Sequence, residues 1–202
     1  MLIRKLFRFE NAHIARRCGT SRCSHSVQGH SYKIELLLEA HTLDQGQMVY
    51  DFGLLKSEVY TLIDAFDHSV TRWTEDDPVY LEAMRPHSER WVLIPESPSA
   101  EQFSRMFFRL GNAVLSATSM RNGEGEVRLH YVIVHETETG YAQYFREDGF
   151  NPRMGVIDFE SIALAPAITV QRNDPKLFGR IKRAQGKIVY QELSHDQKES
   201  AR

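Results

Sequence analysis

A chain of 202 residues and 23.4 kDa, 42% hydrophobic and 26% charged, has the make-up of one soluble globular domain with room for an appendage. It contains no run of about 18 apolar residues, and its first ten residues carry charges where a signal peptide needs an apolar centre. The chain therefore reads as cytoplasmic, with no membrane partner. The net charge of −2 covers an asymmetry: residues 171–202 hold eight Lys/Arg against four Asp/Glu, leaving 17 against 23 in the preceding chain. That basic end reads as a solvated terminal segment, with an anionic substrate or RNA as the alternative contact, and no nucleic-acid partner is expected.

Residues 3–11 alternate loosely, which is the period of a strand, and residues 31–39 alternate more clearly, with Tyr32, Ile34, Leu36 and Leu38 on one side. Asp44 and Gly46 mark a turn, after which Met48, Val49 and Tyr50 are expected to pair briefly. The period then changes. Leu55, Val59, Leu62, Ile63 and Phe66 stand at helical spacing over 53–66. A second helix begins near Pro98, with Ser99 and Gln102 spaced as a capping box, and its stripe of Phe103, Met106, Phe107, Leu110 and Val114 reads as core. Asn122 to Gly125 breaks it; the turn has no lysine and no following helix, so a phosphate loop is not expected. Residues 127–137 alternate again, with Leu129, Tyr131, Ile133 and His135 in one row, and a turn at Thr139-Gly140 returns the chain through 141–145 as a hairpin.

Two strands, two helices and two strands, with one apolar face on each helix, predict an α+β domain: a four-stranded antiparallel sheet with two helices on one face. Residues 74–96 read as an insertion within a domain of 1–147, and 148–202 as a weakly periodic C-terminal extension.

The histidines gather at the ends of the first two strands. If those strands form a hairpin, His13 and His30 come close, and imidazole nitrogen is a standard zinc ligand. Gln28, two residues before His30, faces the same side. Taken alone, the pair is as readily two surface or core histidines. Cys23 lies in a loop with Arg16, Arg17 and Arg22, charges that favour a thiolate, although a lone loop cysteine is usually inert. Only four residues separate Cys23 from Cys18, the other cysteine, and in a reducing compartment a disulfide is not expected. Asp67-His68 sets a carboxylate beside a titratable ring, suited to proton transfer but common as a dipeptide. Glu136, among Val and Ile, needs a partner: a substrate with paired N–H donors, or equally an ion pair.

Together the motifs F-E-N-A-H ending at His13, C-S-H-S-V-Q-G-H-S-Y from Cys23 to Tyr32, G-Q-M-V-Y-D-F from Gly46 to Phe52, F-D-H at 66–68, P-S-A-E at 98–101 and H-E-T at 135–137 resemble the 6-pyruvoyl- and 6-carboxytetrahydropterin synthase family. The resemblance covers roughly 1–147. It implies the tunnelling fold, in which subunits join edge to edge into a β-barrel, commonly a hexamer of two trimers with active sites between subunits. It also implies Zn2+ as cofactor and 7,8-dihydroneopterin triphosphate as substrate. Residue by residue, Cys23 becomes the proton-abstracting thiolate, Asp67 and His68 the catalytic relay, Glu136 the group that binds the pterin ring, and His13 and His30 metal ligands. The carboxy product belongs to queuosine synthesis, with release of acetaldehyde and triphosphate.

One position departs. The family reads H-G-H where this chain has Gln28-Gly29-His30, and an amide oxygen is a poorer zinc ligand than imidazole. Either His25 supplies the missing nitrogen, or Gln28 coordinates weakly, or the protein is a catalytically impaired pterin- or metal-binding member. The pyruvoyl product or another side-chain cleavage is the alternative chemistry, Cys18 an alternative thiol, and Cys18, Cys23, His25 and His30 an alternative closed zinc site.

Overall fold

The computed structural model describes residues 1–148, 151–154, 157–171, 179 and 181–183, of which 54–58 and 152 are described for their backbone alone. Leu55 of the predicted stripe falls among the latter, and most of the basic stretch 171–202 lies outside the described residues.

The first two strands are longer than their periodicity indicated. β1 (Leu2–His13) and β2 (Gln28–Glu39) form one antiparallel hairpin in unbroken register from Leu2↔Glu39 to His13↔Gln28. Phe7, Phe9, Asn11 and His13 face inward from β1, and Tyr32, Ile34, Leu36 and Leu38 from β2, as period two requires. The connection between them carries a short helix α1 (Ser21–His25). α2 (Phe52–Asp64) starts at Asp51, whose carboxylate accepts from the Gly53 N–H. β3 (Ser69–Trp73), α3 (Pro78–Met84), a 3-10 turn at Arg85–His87 and β4 (Trp91–Ile94) follow. α4 (Ala100–Ala117) is capped by Ser99, whose hydroxyl accepts from Gln102 N–H; the Gln102 side chain serves Arg105, so the box is half closed. β5 (Arg128–His135) and β6 (Tyr141–Phe145) form the second hairpin, followed by β7 (Ala163–Leu164) and α5 (Pro166–Val170).

The sheet has seven strands, in the order β6-β5-β2-β1-β3-β4-β7, where four were expected. The four expected strands are its antiparallel half. The added ones come from the chain just after α2, from the 74–96 insertion and from the C-terminal extension. β3 runs parallel to β1 but pairs only through Asn11↔Ser69 and Ala12↔Val70, and β4 runs parallel to β3. Strands of five, four and two residues are too short to show a period, which is why the sequence hid them. Met48, Val49 and Tyr50, expected to pair, form no strand; Val49 and Tyr50 are buried, and the turn before them is closed by Asp44, which accepts from Met48 N–H.

A bulge shifts the β2–β5 register between Leu37 and Leu38, so Tyr131 and Leu129 are paired and His130 is not. The inward row of β5 is accordingly Leu129, Val132 and Val134, which draws on both of the alternating rows. α4 packs across β5 and β6 while α2 lies over β1. Between helices and sheet, Phe9 stacks on Tyr32 at 4.8 Å and meets Phe66, Phe103 and Phe107 edge-on. Ile157, Phe159, Ile162, Ala165 and Ile168 of the extension join the same core. No helix among the described residues is long and apolar enough to cross a membrane.

Candidate functional site

The open end of the β1–β2 hairpin sets the site. His13 closes β1 opposite Gln28, and period two puts Gln28, His30 and Tyr32 on the same inward face as His13. The His13 and His30 rings lie 5.4 Å apart. Glu136 follows the last residue of β5 and reaches the same point: its Oε1 is 3.4 Å from His13 Nε2, 4.0 Å from His30 Nε2 and 3.1 Å from the Tyr32 hydroxyl, which donates to it. The three potential donor atoms of His13, His30 and Glu136 all lie within 4.8 Å of one another.

The hydrogen bonds fix the chemistry of this cluster. His13 is buried, and its Nδ1 stands 2.7 Å from the Pro98 carbonyl, which can only accept, so Nδ1 carries the hydrogen. In the neutral ring Nε2 is then an acceptor, 3.1 Å from the Tyr32 oxygen. His30 Nε2 is buried without a hydrogen-bond partner among the described residues. Two acceptors, His13 Nε2 and Glu136 Oε1, therefore converge on one Tyr32 hydrogen, with the orphaned His30 nitrogen beside them. Burial holds the His30 pKa below the usual imidazole value, against the raising pull of Glu136, and favours the neutral ring that a metal needs. When the His13 ring takes up a second hydrogen on Nε2, its hydrogen bond holds the Glu136 carboxyl below the usual carboxylate range despite its burial, aided by the charges of the protonated His13 and His30 rings and by Tyr32. Burial, and then the Glu136 charge, push the Tyr32 phenol up, so it stays a donor. The orphaned His30 nitrogen and this surplus of acceptors fit a divalent cation.

Asp67 and His68 form the corner between α2 and β3. Asp67 Oδ1 accepts from Glu10 N–H at 2.7 Å, and its Oδ2 lies 2.8 Å from His68 Nδ1. His68 adopts a left-handed backbone (φ 49°), uncommon outside glycine. Its exposed ring lines a cavity of about 340 Å³ that is also walled by His30, Glu10 and Ser31.

Cys23 sits half-buried on α1, in the connection whose two ends are His13 and Gln28. Arg16 and Arg17, read as its charge partners, bind Asp76 at 2.6 Å and Glu75 at 2.9 Å from the insertion. Cys18 is held below the usual thiol pKa, chiefly by a hydrogen bond from the Thr20 backbone. His25 Nδ1 is engaged by Ser24 Oγ at 2.8 Å and by the Ser21 carbonyl, in a cavity with Arg16 and Cys18. Tyr32 and the Pro98 carbonyl were not singled out from the sequence. The one signal available for Tyr32 was its place two residues after His30, on the same face of a strand.

A family model described as 6-pyruvoyl tetrahydropterin synthase matches residues 2–147. A 6-carboxy-5,6,7,8-tetrahydropterin synthase of Helicobacter pylori (strain J99) is 32% identical over 182 residues, 90% of this chain and 91% of that protein. One of Aquifex aeolicus is 28% identical over 164 residues, 72% of this chain and 98% of that protein. Among solved structures, an uncharacterised protein of Wolinella succinogenes aligns at a TM-score of 0.59 and 19% identity, over 72% of this chain and 98% of that chain. The 6-pyruvoyl tetrahydropterin synthase of Caenorhabditis elegans gives 0.50 and 18%, over 72% and 94%. These structural likenesses concern the fold, and the match over residues 2–147 extends to the sequence: the chain belongs to the 6-pyruvoyl tetrahydropterin synthase family.

Proposed function

We propose that the protein is a carbon–oxygen lyase of the queuosine route that converts 7,8-dihydroneopterin triphosphate to 6-carboxy-5,6,7,8-tetrahydropterin, with release of acetaldehyde and triphosphate. The observation that carries this reading is the convergence of His13, His30 and Glu136 at one inward-facing point, in a chain whose near full-length relative bears that enzyme's name. His13 and His30 would hold a Zn2+ ion, which would supply Lewis-acid chemistry that makes protons of the bound side chain easier to remove.

The chain's own groups do the remaining work. Cys23, as thiolate, takes the proton from carbon. His68, with Nδ1 turned to Asp67, offers its other nitrogen to the cavity as the proton carrier. Glu136, ionised because its pKa is held low, accepts from the paired N–H edge of the pterin ring. Cys23 on α1 and His68 on the α2–β3 corner belong to separate parts of one chain, and active sites completed between subunits bring such groups together. The assembly is accordingly a homo-oligomer, a hexamer in which free sheet edges close a barrel.

Incubating the purified protein with dihydroneopterin triphosphate and zinc tests the reading. Acetaldehyde, trapped and quantified in step with the carboxypterin, is the expected result, with turnover lost in Cys23→Ala. Turnover without acetaldehyde excludes the carboxy product, and a folded, zinc-loaded protein that turns nothing over excludes the enzyme.

A further inference from the structure

Gln28 leaves the metal site one imidazole short, and the tertiary structure brings in a different donor. We propose that Glu136 is the third protein ligand of the divalent metal ion bound by His13 and His30, in place of Gln28. Donors on one tetrahedral ion, each about 2.0–2.2 Å from it, stand roughly 3.3–3.5 Å apart. Glu136 Oε1 is 3.4 Å from His13 Nε2 and 4.0 Å from His30 Nε2, and all three ligand atoms lie within 4.8 Å of one another, so a closure of about 1 Å, chiefly of the two rings, brings them onto a shared ion. Both imidazoles are ready for it: Pro98 holds the hydrogen of His13 on Nδ1, and His30 Nε2 is buried and orphaned among the described residues.

Chemistry separates the candidates. Glu136 brings a charged oxygen, whereas Gln28 offers a neutral amide oxygen, a much weaker donor. His25 already engages Ser24 and the Ser21 carbonyl through Nδ1 and lines a different cavity. Two histidines and one glutamate make a complete catalytic zinc set and leave the fourth position open. The carboxylate also lowers the net charge of the centre by one relative to three neutral imidazoles. Tyr32, donating to Oε1, becomes the group that orients the ligand. The second carboxylate oxygen stays available to a substrate N–H, so the assignment deepens the reading proposed above and depends on it only for the choice of ion.

The test is metal binding by the full chain, independent of turnover. Chelator-stripped protein is titrated with Zn2+ against a chromophoric competitor, and with Co2+ followed by its visible absorption. Glu136→Gln is expected to weaken zinc binding by more than the roughly 10–100-fold that outer-shell changes cost, while Gln28→Ala leaves it unchanged. Glu136→Asp, which keeps the charge one methylene short, retains one cobalt ion per chain with a shifted spectrum. Circular dichroism of each stripped variant checks the fold, and Glu136→Asp decides the matter if Glu136→Gln does not fold.

Zinc affinity untouched by Glu136→Gln, an unshifted cobalt spectrum in Glu136→Asp, or a loss in Gln28→Ala as large as in Glu136→Gln overturns the assignment. Pterin turnover is scored separately. A protein that binds zinc through Glu136 yet converts no pterin defeats the functional reading alone; turnover with metal binding indifferent to Glu136 defeats the ligand assignment alone.

Discussion

His13 shows how one backbone contact decides what a side chain is for. The Pro98 carbonyl fixes the hydrogen on Nδ1, and everything the ring offers the site then comes from Nε2. The Tyr32 hydroxyl stands between that nitrogen and Glu136, 3.1 Å from each. Tyr32→Phe keeps the ring stacked on Phe9 and removes only the hydroxyl. It is expected to cost the metal-free protein about 1.5–3 kcal/mol, the range for a hydrogen bond to a charged group, read as a lower urea midpoint at unchanged slope. An unmoved midpoint would mean that the hydroxyl contributes nothing. In the sequence, His13 and His30 were legible as a pair because a hairpin makes strand ends neighbours. Glu136 was legible only as a carboxylate in need of a partner, since 104 residues separate it from Tyr32.

At the scale of elements, the insertion acquires a mechanical role. Arg90, just before β4, spends its guanidinium on the α2–β3 corner: Nε donates to the Asp67 carbonyl at 2.9 Å and Nη2 to the Asp64 carbonyl at 2.6 Å, while Nη1 reaches Gln171 after α5. Its own carbonyl accepts from Val70 N–H and Ser88 Oγ. Free carbonyls at the end of a helix need donors, and a cation there also complements the helix dipole. Arg90→Ala removes the guanidinium from both carbonyls, leaving that of Asp64 with the Asp67 N–H, and is expected to destabilise the fold by roughly 1–3 kcal/mol, with Arg90→Lys intermediate, by denaturant unfolding. Equal stability of all three proteins would show that the corner holds without it. None of this was legible: residues 74–96 read only as an insertion, because a four-residue strand and a seven-residue helix fall below any period the sequence can display.

For the whole molecule, the sheet is covered by helices on one face and leaves two edges underused. β6 ends the strand order, and β1 meets β3 only at Asn11 and Ala12. Leu2, Leu6, Tyr141 and Phe145 are exposed on those same strands. Bare edges flanked by apolar side chains are the surfaces that assemblies pair. Light scattering coupled to gel filtration is expected to give a particle several times 23.4 kDa; a 23.4 kDa monomer at micromolar concentration would count against edge pairing. By itself the sequence determined the antiparallel half of the sheet, the two long helices, the family, and the pairing of His13 with His30, because these rest on local period and on contacts within one hairpin. Only the tertiary structure decided that three further short strands extend the sheet, that Arg16 and Arg17 pair with acidic residues of the insertion, and that Glu136 and Tyr32 meet the histidines at one inward-facing point. Those contacts join residues tens to a hundred positions apart, and no pattern of neighbours along a chain specifies which distant strand will lie beside it.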